Sequence, residues 1–99
     1  MQVLSKRILR EFWIVRPPAK RPLSAWHAVV SKAIWSKPND VKEQFGANVD
    51  FVGDSRAIFD IGGNKYRLVV RIAYAPFYRV MVKFVGTHEA YDKINPETV

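Results

Sequence analysis

The chain contains no cysteine. Disulfide frameworks and thiolate chemistry are therefore closed to it, and a reducing compartment is the natural setting. Acidic residues are also scarce, nine against 16 lysines and arginines, for a formal charge of +7 and a pI near 10.0. The few carboxylates are dispersed, and the two histidines, His27 and His88, stand far apart in the chain. Metal-ligand spacing is thus absent, so no metal and no cofactor are expected, and any chemistry at this chain should proceed without a metal. Glycine-rich phosphate loops are missing too, since Gly62 and Gly63 have the composition of a hairpin turn. No apolar run is long enough to span a bilayer. The first fifteen residues carry Lys6, Arg7, Arg10 and Glu11, unlike a cleavable signal. A soluble, cytoplasmic protein is the expectation.

What is present suffices for one core. Ninety-nine residues with 48% hydrophobic and 13% aromatic content should bury roughly 65% of the unfolded chain's surface. A single domain over residues 1–99 is expected. The cationic excess favours a polyanionic partner: nucleic acid, an anionic membrane surface or an acidic protein.

Met1 to Leu4 reads as a short strand. Ser5 is then placed to cap a helix whose apolar residues Ile8, Leu9, Phe12 and Trp13 recur at spacings of three and four. Pro17 and Pro18 end it. Ala19 to Arg21 reads as a basic linker, and Pro22 opens a second helix with the stripe Leu23, Trp26, Val29, Val30, Ala33 and Ile34. A third, short helix is expected between Asn39 and Gly46, capped by Asp40 with Glu43 three residues later and stopped by Gly46. The fold class is α+β: an N-terminal strand and two to three helices packed on one face of an antiparallel meander.

The meander carries the chemistry. From Lys65 to Tyr74 the period of two puts Tyr66, Leu68, Val70, Ile72 and Tyr74 on one face and Lys65, Arg67 and Arg71 on the other. In the next strand Tyr78, Val80, Val82 and Phe84 share the apolar side, opposite Arg79, Met81, Lys83 and Val85. The loop Ala75 to Phe77 sets Tyr74 against Tyr78, so that Lys65 lies opposite Thr87 and Arg67 opposite Val85. The preceding strand, Arg56 to Ile61, places Asp60 across from Arg67 or Lys65, where a carboxylate can orient the arginine. A row of cations on the outer face of a meander is most often a solvated face. Five of them on adjacent strands repel, however, and that cost is more easily borne opposite a polyanion.

The strands run into the tail Thr87 to Lys93 (THEAYDK). His88 can exchange protons near neutral pH, which attack of an RNA 2′-hydroxyl on the adjacent phosphate requires. Tyr91 can stack on a base or share a proton, and Lys93 can stabilise the phosphorane or the leaving oxygen; their ordinary counterparts are a packed tyrosine and a surface charge. His27, between Trp26 and Ala28 on a helix, has a surface or packing role.

Gly62–Val70 (GGNKYRLVV) and Phe84–Ile94 (FVGTHEAYDKI) resemble the two most distinctive blocks of the HigB toxins in the RelE/ParE toxin superfamily. Ser5–Trp13 (SKRILREFW) and Val41–Gly46 (VKEQFG) are similar to that family as well. The resemblance implies a RelE-like fold and an mRNA interferase, a metal-independent endoribonuclease that cuts messenger RNA during translation on the ribosome. It implies as partner a HigA-type helix-turn-helix antitoxin, which would carry most of the DNA binding. Carried onto matching positions, Lys65, Arg67 and Arg71 would hold and polarise phosphate, with Arg79 and Lys83 beside them on the basic face. His88 would act as acid or base, with Tyr91 and Lys93 assisting. Position 90 departs from the pattern: Ala90 stands where a glutamate usually precedes the tyrosine. Two other readings fit the same chain, a ParE-like gyrase inhibitor on the same fold and a basic RNA-binding or ribosome-associated module without catalysis.

Overall fold

A computed structural model describes every residue from Met1 to Val99. The elements follow in the order β1 (Gln2–Leu4), α1 (Lys6–Val15), a 3₁₀ turn (Pro17–Ala19), α2 (Lys20–Lys32), α3 (Pro38–Phe45), β2 (Val49–Val52), β3 (Arg56–Ile61), β4 (Tyr66–Ala73), β5 (Arg79–Thr87) and α4 (His88–Tyr91). The strands form one mixed sheet in the order β1-β5-β4-β3-β2. Only β1 is parallel, to β5; the other pairs are antiparallel. This is the expected α+β arrangement of the RelE-like kind, with two additions that the periodicity does not announce: the edge strand β2 and the single-turn helix α4.

The core lies between the helices and the inner face of the sheet. A cluster of 19 buried residues joins Leu9 of α1, Leu23, Trp26 and Val30 of α2 and Val41 of α3 to Phe59, Leu68, Val70, Ile72, Val80 and Val82. Phe59 sits at its aromatic centre, edge-on to Trp26 at 5.5 Å and to Phe45 at 4.8 Å, with Trp35 stacked at 6.4 Å. Such pairs contribute about 0.5–1.5 kcal/mol each beyond the area they bury.

Three helix expectations are corrected. Ala19 to Arg21 is no linker: the two prolines initiate a 3₁₀ turn that runs directly into α2 at Lys20, as proline at a first helical turn permits. α2 then stops at Lys32, and Ala33 is extended with ψ 155°. From there the side-chain period changes from 3.6 to two. Ala33 and Trp35 therefore turn inward, while Ile34, expected in the core stripe, is 74% exposed, and Val29 is also exposed. Asp40 is not the cap of α3 but its third residue, with a carboxylate that accepts the backbone N–H of Ser36 at 2.8 Å and of Lys37 at 3.3 Å. Gly46 does end that helix, at φ 56°. Ser5 occupies the N-cap position of α1 in a left-handed conformation, without a side-chain cap.

The β3–β4 register has Ile61 opposite Tyr66, Asp60 opposite Arg67, Phe59 opposite Leu68 and Ala57 opposite Val70. Between β4 and β5 the expected register holds from Ala73–Arg79 to Val70–Val82, and there it breaks. A bulge leaves Lys83 as the extra residue, and beyond it Val69 faces Phe84, Leu68 faces Val85, Arg67 faces Gly86 and Tyr66 faces Thr87. The expected pairs Lys65–Thr87 and Arg67–Val85 are each displaced by one position. Phe84 and Val85 exchange faces as a result: Val85 packs against the core, and Phe84 joins the outer face with Val69 and Ile58.

That outer face is not uniformly cationic. Ile58 and Val69 are buried, yet neither belongs to the main cluster. The C-terminal segment supplies the cover, with Ile94, Pro96 and Val99 half-buried. Arg56 Nη1 fastens it by donating to the carbonyl oxygens of Pro96 at 3.2 Å and Val99 at 2.7 Å. The segment is thus fastened to β3 and lies against the β2–β3 turn at Gly53, while α4 packs on the end of β5.

Candidate active site

The site forms where the β3–β4 hairpin, the end of β5 and α4 meet. Asp60 and Arg67 are directly opposed on β3 and β4, and Arg67 Nε lies 3.1 Å from Asp60 Oδ1. Both side chains are mostly shielded, at 24% and 23% exposure, so this pair is held more firmly than a surface ion pair. The Arg67 Nε–H also donates to His88 Nε2 at 3.4 Å. Asn64 Oδ1 approaches the same nitrogen at 3.0 Å. Asn64 occupies the left-handed region, φ 80°, which asparagine tolerates better than most residues. The hairpin turn therefore aims its amide at the histidine.

α4 explains why His88 and Tyr91 converge. Thr87 is its N-cap, with Oγ1 accepting the Ala90 N–H at 3.2 Å. One helical turn brings residues three apart onto the same side. The Tyr91 ring accordingly stacks beneath the Arg67 guanidinium, 5.0 Å from its carbon to the ring centroid, a cation–π contact. Gly86 makes room for this. A Cβ there would fall 2.6 Å from Phe84 Cζ and 3.2 Å from Ala90 Cβ, so a glycine lets α4 sit close on the strand with the Phe84 ring beside it, and Ala90 is the small residue that faces it. A glycine inside a strand and the adjacent apolar pair Phe84–Val85 are the sequence signals of this bulge and close approach.

Arg67, His88 and Tyr91 are brought together, with Asp60 and Asn64 as supports; Asn64 was not singled out from the sequence. Lys65 is exposed in the adjoining turn, and Lys93 is exposed just past α4. Lys83, at the bulge, is half-buried. Arg71 and Arg79 lie elsewhere: Arg71 is four residues along β4, about 13 Å from Arg67 at the rise of a strand, and Arg79, opposite Ala73, is about 20 Å away. Arg71 pairs there with the exposed Asp54 at 3.1 Å. His27 is remote on α2, beside Ser31 Oγ at 3.4 Å; partial burial and the nearby Lys6 charge lower its pKa. Burial and the Asp40 charge raise that of Tyr74, which stays a phenol. No three or more His, Asp or Glu side chains gather as a metal site would require, and no helix is long and apolar enough to cross a membrane.

Chemically, the cluster offers a fixed guanidinium with both terminal nitrogens free of hydrogen bonds within the protein, a histidine whose Nε2 faces it, and a phenol. The Arg67 Nε–H at 3.4 Å uses a lone pair on Nε2, whereas the Asn64 Oδ1 at 3.0 Å uses a proton on that nitrogen, so the two contacts serve different tautomers of the ring. A comparison with curated proteins finds no match. Residues 19–94 match a family model described as HigB toxin, the RelE-like toxic component of a toxin–antitoxin system. That span takes in α2, the whole sheet except β1, and every residue of the cluster just described; the chain belongs to the HigB toxin family.

Proposed function

We propose that this toxin is a metal-independent endoribonuclease that cleaves messenger RNA during translation on the ribosome. The convergence of Arg67, His88 and Tyr91 at one end of the sheet carries this reading. In the proposed reaction a terminal nitrogen of Arg67 binds a non-bridging oxygen of the scissile phosphate and offsets the charge that builds on the phosphorane. His88 takes the 2′-hydroxyl proton as the 2′-oxygen attacks phosphorus. The bond to the 5′-oxygen breaks, and that oxygen takes a proton from Tyr91 or from Lys93. The products are a 2′,3′-cyclic phosphate and a 5′-hydroxyl. Asp60 holds Arg67 at the edge the phosphate does not use, and Lys65 and Lys83 attract the backbone on either side.

A toxin of this family has an antitoxin, and we infer one of the HigA helix-turn-helix type, which would supply the DNA binding of the pair. The test is primer extension on a translated message with the wild type, His88→Ala and His27→Ala. His88→Ala should lose on the order of 10²- to 10⁴-fold in cleavage rate, and His27→Ala almost nothing. No cleavage by the wild type, together with inhibition of gyrase supercoiling, would replace this reading with a gyrase poison.

A further inference from the structure

The outer face holds a second feature that the catalytic cluster does not use. At the opposite end of the sheet, beside the β4–β5 loop, is a groove of about 480 Å³, within the size range of small-ligand sites. Strand pairing explains its lining. Leu4 is opposite Met81, Arg71 opposite Met81 on the other side, and Ala73 opposite Arg79, so these five share the outer face. Leu4, Ala73 and Met81 make an apolar floor, Arg71 and Arg79 a cationic rim, and Phe77 of the loop one wall. Phe77 is 66% exposed. It contributes little to the core, and its exposure beside two guanidinium groups is unexplained by packing.

We propose that this groove is a nucleotide subsite for the same single-stranded RNA that is cut, a reading that rests on the function proposed above. A base is flat, apolar on its faces and always joined to phosphates, so an aromatic wall over an apolar floor with two arginines at the rim matches it in each respect. The partners already present are weak ones. Arg79 has no ion pair, and Asp54, which holds Arg71, is 85% exposed, so that contact is readily exchanged for a phosphate. Position agrees as well. The groove and Arg67 lie on one face, about 13 Å apart at Arg71 and about 20 Å at Ala73 and Arg79, some four to six nucleotides of stacked strand at about 3.4 Å each. Lys83, at the β5 bulge, lies between the two and adds a cation to the path. The groove therefore selects and anchors a nucleotide that flanks the scissile bond.

Binding of a fluorescein-labelled single-stranded RNA of about twelve nucleotides, followed by anisotropy across a salt series, tests this without requiring turnover. Phe77→Ala should weaken binding by about 5- to 100-fold with an unchanged salt slope, and Phe77→Trp should bind as the wild type does. Arg79→Ala should weaken binding and flatten the log–log salt slope by about 0.7, whereas Asp54→Asn should tighten it. Phe77 and Arg79 are exposed, so circular dichroism should show both variants folded. Wild-type affinity and wild-type cleavage of a translated message in Phe77→Ala and Arg79→Ala would overturn the subsite and leave the ribonuclease standing. A wild type that binds this RNA through the groove but cleaves no message would instead overturn the ribonuclease and keep the groove. Unchanged RNA affinity with lost binding of a polyglutamate probe would make the groove a peptide dock and end the proposal.

Discussion

Arg67 is asked to do several things through one planar group. Its Nε edge meets Asp60 and His88, its face lies on Tyr91, and its terminal nitrogens remain for a phosphate. A lysine keeps the charge but cannot occupy the edge, the face and the phosphate side at once. Arg67→Lys and Arg67→Ala are therefore both expected to lower RNA cleavage by at least about tenfold, equivalent to about 1.4 kcal/mol of transition-state stabilisation. Single-turnover cleavage of a programmed ribosome measures it, and full activity in a folded Arg67→Ala protein would remove this residue from the site. His88 depends on its neighbours in a different way. Asn64 and Arg67 both approach its Nε2, so the hairpin turn and β4 together hold the ring beside the phosphate binder.

Among the elements, β5 does most to build the site. Its bulge at Lys83 turns Phe84 outward and sets Gly86 opposite Arg67, and α4 then rests on that glycine. Gly86→Ala should force the Phe84 ring aside and lift α4. A loss of about 1–2 kcal/mol in urea unfolding is expected, with a drop in cleavage because His88 and Tyr91 move together. Adding Phe84→Leu should recover part of the stability; a stable, fully active Gly86→Ala protein would show that α4 does not depend on the close approach. Helix α2 carries a pH dependence of its own. The pKa of His27 is lowered in the folded chain, so protonation favours the unfolded state. Its contribution is present above the unfolded value of about 6.5 and is lost as the pH falls through the lower, folded value. The urea midpoint should decline as the pH falls from about 6.5 to that folded value, and His27→Gln should remove this part of the decline; an identical profile in the variant would refute it.

For the molecule as a whole, the +7 charge is a statement about partners rather than about the fold. Only three ion pairs form, two of them on exposed side chains, so most of the positive charge is uncompensated within the chain. Affinity for ribosome or RNA should fall steeply with salt, each neutralised phosphate adding roughly 0.7 to 0.9 to the log–log slope. Lys65→Gln and Lys83→Gln should each flatten that slope with little effect on stability. A salt-independent affinity would point to a protein target in place of RNA.

The sequence by itself determined the α+β class, the inner faces of β3 and β4, the placing of Asp60 on the basic face across from Arg67 or Lys65, and the family resemblance. Period-two alternation and the Gly62–Asn64 turn suffice for these, because a one-residue slip would expose Phe59 and Leu68. Tertiary structure decided the rest. Whether Phe84 or Val85 turns inward depends on where a bulge relieves the sheet, and both are apolar, so alternation alone cannot choose. Ala33 and Ile34 read as one more helical turn until Trp35 finds its place beside Phe59. The outer face reads as cationic because Arg67 and Arg71 are visible in the pattern, whereas the cover over Ile58 and Val69 comes from a segment some thirty residues away in sequence. The site residues were legible as types, but their grouping was not. Arg67, His88 and Tyr91 meet, and Arg71 and Arg79 lie elsewhere, because strand rise separates residues that share a face while a single helical turn gathers residues three apart.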